Sequence, residues 1–221
     1  MRHRPAPARK LLLIIDMQNG FFDMFKKLYP AREKVVRNIN ALREIFRQND
    51  DLVAFAAIVH KKDGSTIGLE AKKAWNVEGS REAGIIPELA PVKGETVLKK
   101  TRFSAFHRTG LAEFIRKNKV TEVYITGQVA GMCVINTSLD CYNHDIPSKV
   151  VTDAVMDTTK ESVKFFSGYF HSLGIGIKTG DYIKQNPISA CLLTPTYKPV
   201  ADRQLYAAKR AREKGKNRGK L

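Results

Sequence analysis

Leu11-Leu12-Leu13-Ile14-Ile15 is an unbroken aliphatic run that stops at an aspartate, Asp16. A strand with one side in water alternates apolar and polar residues. A short run without alternation therefore belongs to a strand covered on both faces, as in a parallel sheet between helical layers. The rest of the chain keeps to that plan. Val35, Ile39, Leu42 and Phe46 recur at helical spacing and mark one face of a helix after the first strand. Val53 to Val59 reads as the second strand, Glu95 to Leu98 as the third and Val123-Tyr124-Ile125 as the fourth, with Val150-Val151 starting the fifth and Ile175-Gly176-Ile177 forming the sixth. Leu111 to Arg116 and Ser162 to Phe170 read as helices, and a turn and a further helix follow the fourth strand at Gly127. The pattern specifies an α/β fold of three layers, α/β/α, built on a doubly wound, mainly parallel six-stranded sheet.

At 221 residues with 43% apolar content, the chain has room for one full-sized domain with extensions. The reading is a basic N-terminal extension over 1–9, a domain over 10–190, and a C-terminal extension over 191–221 ending in a basic tail. The formal charge of +16 suggests a nucleic-acid binder until its location is considered. Arg203 to Leu221 carry about +7, and Arg2, Arg4, Arg9 and Lys10 about +4, leaving about +5 for the body. Such a tail reads as a solvating extension, with weak attraction to nucleic acid or an anionic surface as the alternative. No apolar run approaches the roughly 18 residues of a membrane span, and the opening MRHRPAPARK lacks the apolar stretch of a signal peptide. A cytoplasmic protein is expected. Gly219-Lys220-Leu221 resembles a degenerate Ser-Lys-Leu import signal, which makes a peroxisome-like organelle the alternative. The cysteines, Cys133, Cys141 and Cys191, are odd in number and lack metal-type spacing, so neither a disulfide framework nor a zinc knuckle is expected.

In open parallel sheets ligands bind outside the carboxyl ends of the strands, near the switch in strand order. Three positions meet that condition: Asp16 directly ends strand one, Lys100 lies just beyond strand three, and Cys133 opens the helix after strand four. At a helix N-terminus, unpaired N–H groups and the helix dipole favour thiolate over thiol, while burial opposes ionisation. The competing reading of any cysteine is a small buried hydrophobe, and that reading is taken for Cys141 and Cys191. Asp16 ends an apolar strand, where an unpartnered carboxylate would be costly; it is either a catalytic base or a turn cap bonding to the amides of Gln18 or Asn19. Lys100 is either its cation or a solvated surface residue. Lys61 to Gly94 is too long for a plain connection and is a candidate substrate-covering loop, holding Trp75, the only tryptophan.

Taken together, Leu13-Ile14-Ile15-Asp16-Met17-Gln18-Asn19, Lys100-Thr101-Arg102-Phe103-Ser104-Ala105-Phe106 and Gly127 to Val134 resemble the three ordered motifs of the isochorismatase-like hydrolases, the superfamily of nicotinamidase, N-carbamoylsarcosine amidase and isochorismatase. The match covers about residues 10 to 180. By that resemblance Asp16 takes the thiol proton, Cys133 attacks a carbonyl carbon, and Lys100 orients Asp16 and holds the charged pair. The oxyanion would be held by the backbone N–H groups of Val129 and Cys133, each donor worth about 2.7–4 kcal/mol. The resemblance also implies a cis peptide at Gln128-Val129, self-association into dimers or tetramers, and no cofactor.

Two departures narrow the expectation. Nicotinamidases carry a metal site with an Asp and a His two residues apart after the second strand; the corresponding positions here are Ile58 and His60. Without the carboxylate no metal site is expected, since zinc needs at least three protein ligands, and His60 either lines the pocket or simply ends the strand. Isochorismatases act on a vinyl ether without a cysteine nucleophile, so Cys133 points instead to C–N cleavage in a small amide, imide or carbamoyl compound. Vinyl-ether hydrolysis through Asp16 and a non-catalytic binding module using the basic tail are the alternatives. Gln18, Phe21, His60, Trp75 and Phe106 are the residues expected around the substrate, although each aromatic could equally be core packing.

Overall fold

The computed structural model describes residues 8–25, 28–66 and 75–187. Residues 1–7, Lys26 and Lys27, residues 67–74 and residues 188–221 lie outside it. Cys191, the basic tail, the terminal tripeptide and part of the expected substrate-covering loop therefore fall outside the described residues.

The elements run β1 (Arg9–Ile15), α1 (Asn19–Met24), α2 (Arg32–Gln48), β2 (Leu52–Ile58), β3 (Thr96–Lys100), α3 (Leu111–Lys117), β4 (Val120–Gln128), α4 (Ile135–Asn143), β5 (Ser148–Met156), α5 (Lys160–Ser172), β6 (Gly176–Ile177) and α6 (Thr179–Gln185). Six strands form one sheet in the order β3-β2-β1-β4-β5-β6, and every pairing is parallel. The aliphatic run of β1 sits at its centre and supplies both faces. Leu12 and Ile14 join Val35, Ile39, Leu42 and Phe46 of α2 and Tyr182 of α6 on one side. Leu11, Leu13 and Ile15 join Leu111 and Ile115 of α3, Cys141 of α4 and Phe170 of α5 on the other. The helical spacing read in α2 is thus a buried stripe, and each of its large apolar side chains stabilises the fold by about 1.5–3 kcal/mol.

The strand order reverses between β1 and β4, and a crevice opens there at the carboxyl ends. Backbone approach at this point is unusually close. Gly127, opposite Ile15 in the register, has φ +103°, and a Cβ on it would lie 2.0 Å from the Ile15 carbonyl oxygen. Only glycine fits, which is the physical content of the glycine that ends the apolar part of β4.

Two boundaries differ from the sequence reading. Lys100 is the last residue of β3 and pairs with Ile58, so it lies within the strand and not just beyond it. Because β3 is the sheet edge, its residues alternate between half-buried and exposed before the buried Lys100, and the apolar signal fades early. Cys133 precedes α4, in a π-helical turn over Ala130–Val134, with Val134 N–H reaching the Val129 oxygen at 3.2 Å.

Candidate active site

Asp16, immediately after β1, is fully buried and sits at φ +52°, a left-handed position that a non-glycine residue holds only when its surroundings demand it. The demand comes from all sides. Its backbone N–H donates to Ala56 O at 2.8 Å, and its carbonyl accepts from Gln18 N–H at 2.8 Å and from the Gln128 side-chain amide at 2.8 Å. The carboxylate does not cap the local turn: Oδ1 accepts from Ile58 N–H at 2.8 Å and Oδ2 from Lys100 Nζ at 2.7 Å. The three ammonium protons of Lys100 find three acceptors: Asp16 Oδ2, Arg102 O at 3.1 Å and Cys133 Sγ at 3.3 Å. A lysine with all donors used is committed to one place. Asp16, Lys100 and Cys133 thus converge from the ends of three strands, with Lys100 Nζ bridging the carboxylate and the sulfur.

The electrostatics follow from burial. Burial, the largest influence, pushes Asp16 up, and Lys100, the thiol and Ile58 N–H offset only part of it. For Lys100, burial works to lower the pKa, but the charges of Asp16 and Cys133 outweigh it and the net direction is up. Burial, followed by the Asp16 charge, pushes the Cys133 thiol up as well. Of the two opposing influences on the sulfur, helix terminus and burial, burial is the larger. Losing the proton to solvent would leave the enclosed cluster with net negative charge. Passing it to Asp16 keeps the cluster neutral beside the Lys100 cation. The geometry favours proton transfer within the cluster over a standing thiolate.

Of the three, only Cys133 reaches the cavity of about 720 Å³ that opens at the crevice. Phe21, Trp75 and Val129 form part of an apolar wall, Phe21 and Trp75 meeting edge-to-face at 4.7 Å. His60 lines the same cavity, with Nδ1 3.1 Å from Thr66 O. Ile58 presents a hydrocarbon beside it, so the two positions that would mirror a metal pair offer one possible ligand. No group of three or more His, Cys, Asp or Glu suited to a metal occurs among the described residues.

Two expected substrate contacts lie elsewhere. Gln18 is fully buried, and its side-chain amide binds backbone on both sides: Nε2 donates to Ile58 O at 3.0 Å and Ala83 O at 2.8 Å, and Oε1 accepts from Ile58 N–H at 3.0 Å. It staples β1 to β2 and to the segment after it. The Phe106 ring stacks on His144 at 4.8 Å and, half-buried, packs against the core and is not among the residues that line the cavity. Conversely, Arg102 and His107 after β3, and Asn136 and Asp140 on α4, line the cavity without having been singled out. Their helical and loop spacing carries no signal separate from a solvated surface. Thr137 also escaped notice: its hydroxyl donates to Cys133 O at 2.7 Å and accepts from Ala105 N–H at 3.0 Å, tying the lysine loop to the nucleophile turn. The peptide bond preceding that turn, Gln128–Val129, is cis.

Comparison with known proteins gives consistent results. The Isochorismatase domain family matches residues 10–174. Enterobactin synthase component B of Escherichia coli is 30% identical over 169 residues, covering 73% of this chain and 59% of that protein, so the chain spans about three fifths of the first such relative. An uncharacterized isochorismatase family protein of Bacillus subtilis is 32% identical over 165 residues, covering 72% of this chain and 87% of the relative. Among solved structures, an isochorismatase family protein from Desulfovibrio vulgaris superposes with a TM-score of 0.72 at 28% identity, covering 81% of this chain and 98% of that one.

Proposed function

The chain belongs to the isochorismatase family of hydrolases, and from that premise we propose that it is a metal-independent cysteine hydrolase acting on a C–N bond of a small amide, imide or carbamoyl compound. One observation carries the reading: Lys100 Nζ holds both Asp16 Oδ2 and Cys133 Sγ at hydrogen-bond distance, beside a cavity that, of these three residues, Cys133 alone lines.

The steps follow from that arrangement. Asp16 accepts the thiol proton as sulfur attacks the carbonyl carbon, and Lys100 stays protonated beside both. The oxyanion is received by the N–H groups of Val129 and Cys133 at the start of the turn. Asp16 returns its proton to the departing nitrogen as the C–N bond breaks, leaving a thioester on Cys133. Water, deprotonated by Asp16, attacks the thioester, and the thiol is regenerated with release of the acid. A cavity of this size, mostly apolar with a few convergent polar groups, suits a small planar substrate. Vinyl-ether hydrolysis through Asp16 is the second reading; it leaves Cys133, which lines the cavity, without a role.

The test is acylation by an activated ester, p-nitrophenyl acetate, followed by peptide mapping. The reading expects a nitrophenolate burst equal to enzyme, one acetyl group on Cys133 and none on Cys141, and loss of the burst in Cys133→Ala. Turnover of small amides that persists in Cys133→Ala would contradict it and favour direct use of Asp16.

A further inference from the structure

Resting on the cysteine-hydrolase reading, we propose that Asp157 is the positioning residue of the nucleophile turn, its carboxylate fixing the backbone that presents the oxyanion-binding N–H groups. Asp157 follows β5 directly and is 4% exposed. Its Oδ2 accepts from the N–H of Gly131 at 2.8 Å, and Gly131 lies between Val129 and Cys133. Its Oδ1 accepts from Thr158 N–H at 2.6 Å and from the Thr158 hydroxyl at 3.2 Å. Asp157 is itself immobilised, because its backbone exchanges hydrogen bonds with Tyr29 in both directions, at 2.7 and 2.8 Å.

The turn needs an anchor of this kind. N–H groups in the first turn of a helix have no partner within it. Over Ala130–Val134 the bonds reach back five residues, from Val134 N–H to Val129 O and from Ile135 N–H to Ala130 O, which leaves the loop wider than an α-helical turn. A carboxylate set against the amide between the two oxyanion donors fixes that loop with a charge-assisted bond. The space beside Gly131 is closed as well. A Cβ there would lie 2.5 Å from the Phe166 ring and 3.3 Å from Asp157 Oδ2, so the absence of a side chain is what lets ring and carboxylate come this close to the backbone.

A carboxylate is required rather than an amide of equal size, because each oxygen faces a backbone N–H. In Asp157→Asn one of those donors would meet an NH2 group instead. The consequence falls on acyl transfer, which builds an oxyanion, and spares alkylation at the same sulfur, which builds none.

The experiment compares two reactions of Cys133 in full-length wild type and Asp157→Asn: acetylation by p-nitrophenyl acetate and alkylation by iodoacetamide, both mapped to the residue, with Tm recorded. Asp157→Asn is expected to acetylate about 100-fold more slowly, as a displacement of order 1 Å at a reacting centre does, while alkylation stays within about twofold. Equal losses in both reactions indicate a merely structural role and overturn the inference; unchanged acetylation also overturns it. Failure of wild-type Cys133 to acetylate at all overturns the hydrolase reading itself, a different result. If Asp157→Asn does not fold, the wild-type Gly131 amide proton decides: it is expected downfield of the other described glycine amides, and an ordinary shift there counts against the bond.

Discussion

Two buried ion pairs lie among the described residues, and they are built to opposite ends. Arg43 and Glu95, with side chains 5% and 4% exposed, meet in a two-pronged contact, Nε to Oε1 at 3.2 Å and NH2 to Oε2 at 2.6 Å. Arg47 adds a bond to Oε1 at 2.8 Å, Val92 N–H one to Oε2 at 3.0 Å, and the remaining Arg43 donors reach Asn40 and Ala90 O. Burial pushes Glu95 up, but these partners outweigh it and its carboxyl ends below the usual range. Asp16 and Lys100 are buried more completely, yet burial wins at Asp16 and its carboxyl ends above the usual range. The difference is one of supply. Glu95 has two guanidinium groups and an amide, whereas Asp16 has one ammonium, shared with a sulfur, and one amide. A saturated pair holds structure; an undersaturated one leaves a carboxylate able to take a proton.

The largest effect that would break this contrast is in chemistry. Asp16→Asn cannot accept the thiol proton, and acetylation of Cys133 in a rapid-mixing experiment is expected to fall about 1000-fold, within the range for loss of a positioned base. A loss under tenfold would mean that the pair is structural after all. Glu95→Gln should do the reverse. It strands Arg43 in the core, and urea unfolding at neutral pH is expected to show a loss of about 3–5 kcal/mol, with the acetylation rate per folded molecule unchanged. Because the Glu95 carboxyl is held below 4.5 in the folded state, its contribution is present above that value and lost as pH falls through the folded-state pKa. The stability gap between wild type and Glu95→Gln should therefore close on acidification; a gap that widens there contradicts the assignment. The smallest effect separates cavity wall from core. Trp75→Ala should raise KM by about three- to tenfold, the worth of an aromatic contact, whereas Phe106→Ala should leave KM alone and lower Tm. Equal KM changes would return Phe106 to the site.

Much of this was legible from the chain because burial writes itself plainly in β1: five aliphatic residues between two covered faces, then an acid. Asp16, Lys100 and Cys133 stood out as polar residues where apolar runs end at the sheet's carboxyl edge. The same signal was available at Val155-Met156-Asp157 and passed unused. Other features have no local signature. A buried glutamine that satisfies backbone, as Gln18 does, looks the same in sequence as one that binds substrate, and an aromatic facing the core, as Phe106 does, looks the same as one facing a cavity. The balance at the thiol has no local signature either, because helix-terminus effects can be read from spacing, while the burial that opposes them depends on neighbours distant in sequence.

The most direct test of proton transfer inside the cluster is the pH dependence of single-turnover acetylation of Cys133. Transfer to Asp16 requires only that the carboxylate be ionised and Lys100 and the thiol protonated. The predicted rate therefore rises on an acid limb centred above 3.8, the ordinary value for an aspartic acid, and then runs level through 9.0, where an ordinary thiol would ionise. A rate that instead climbs in proportion to hydroxide through that region would show a thiolate formed by loss of its proton to solvent, and would contradict the account.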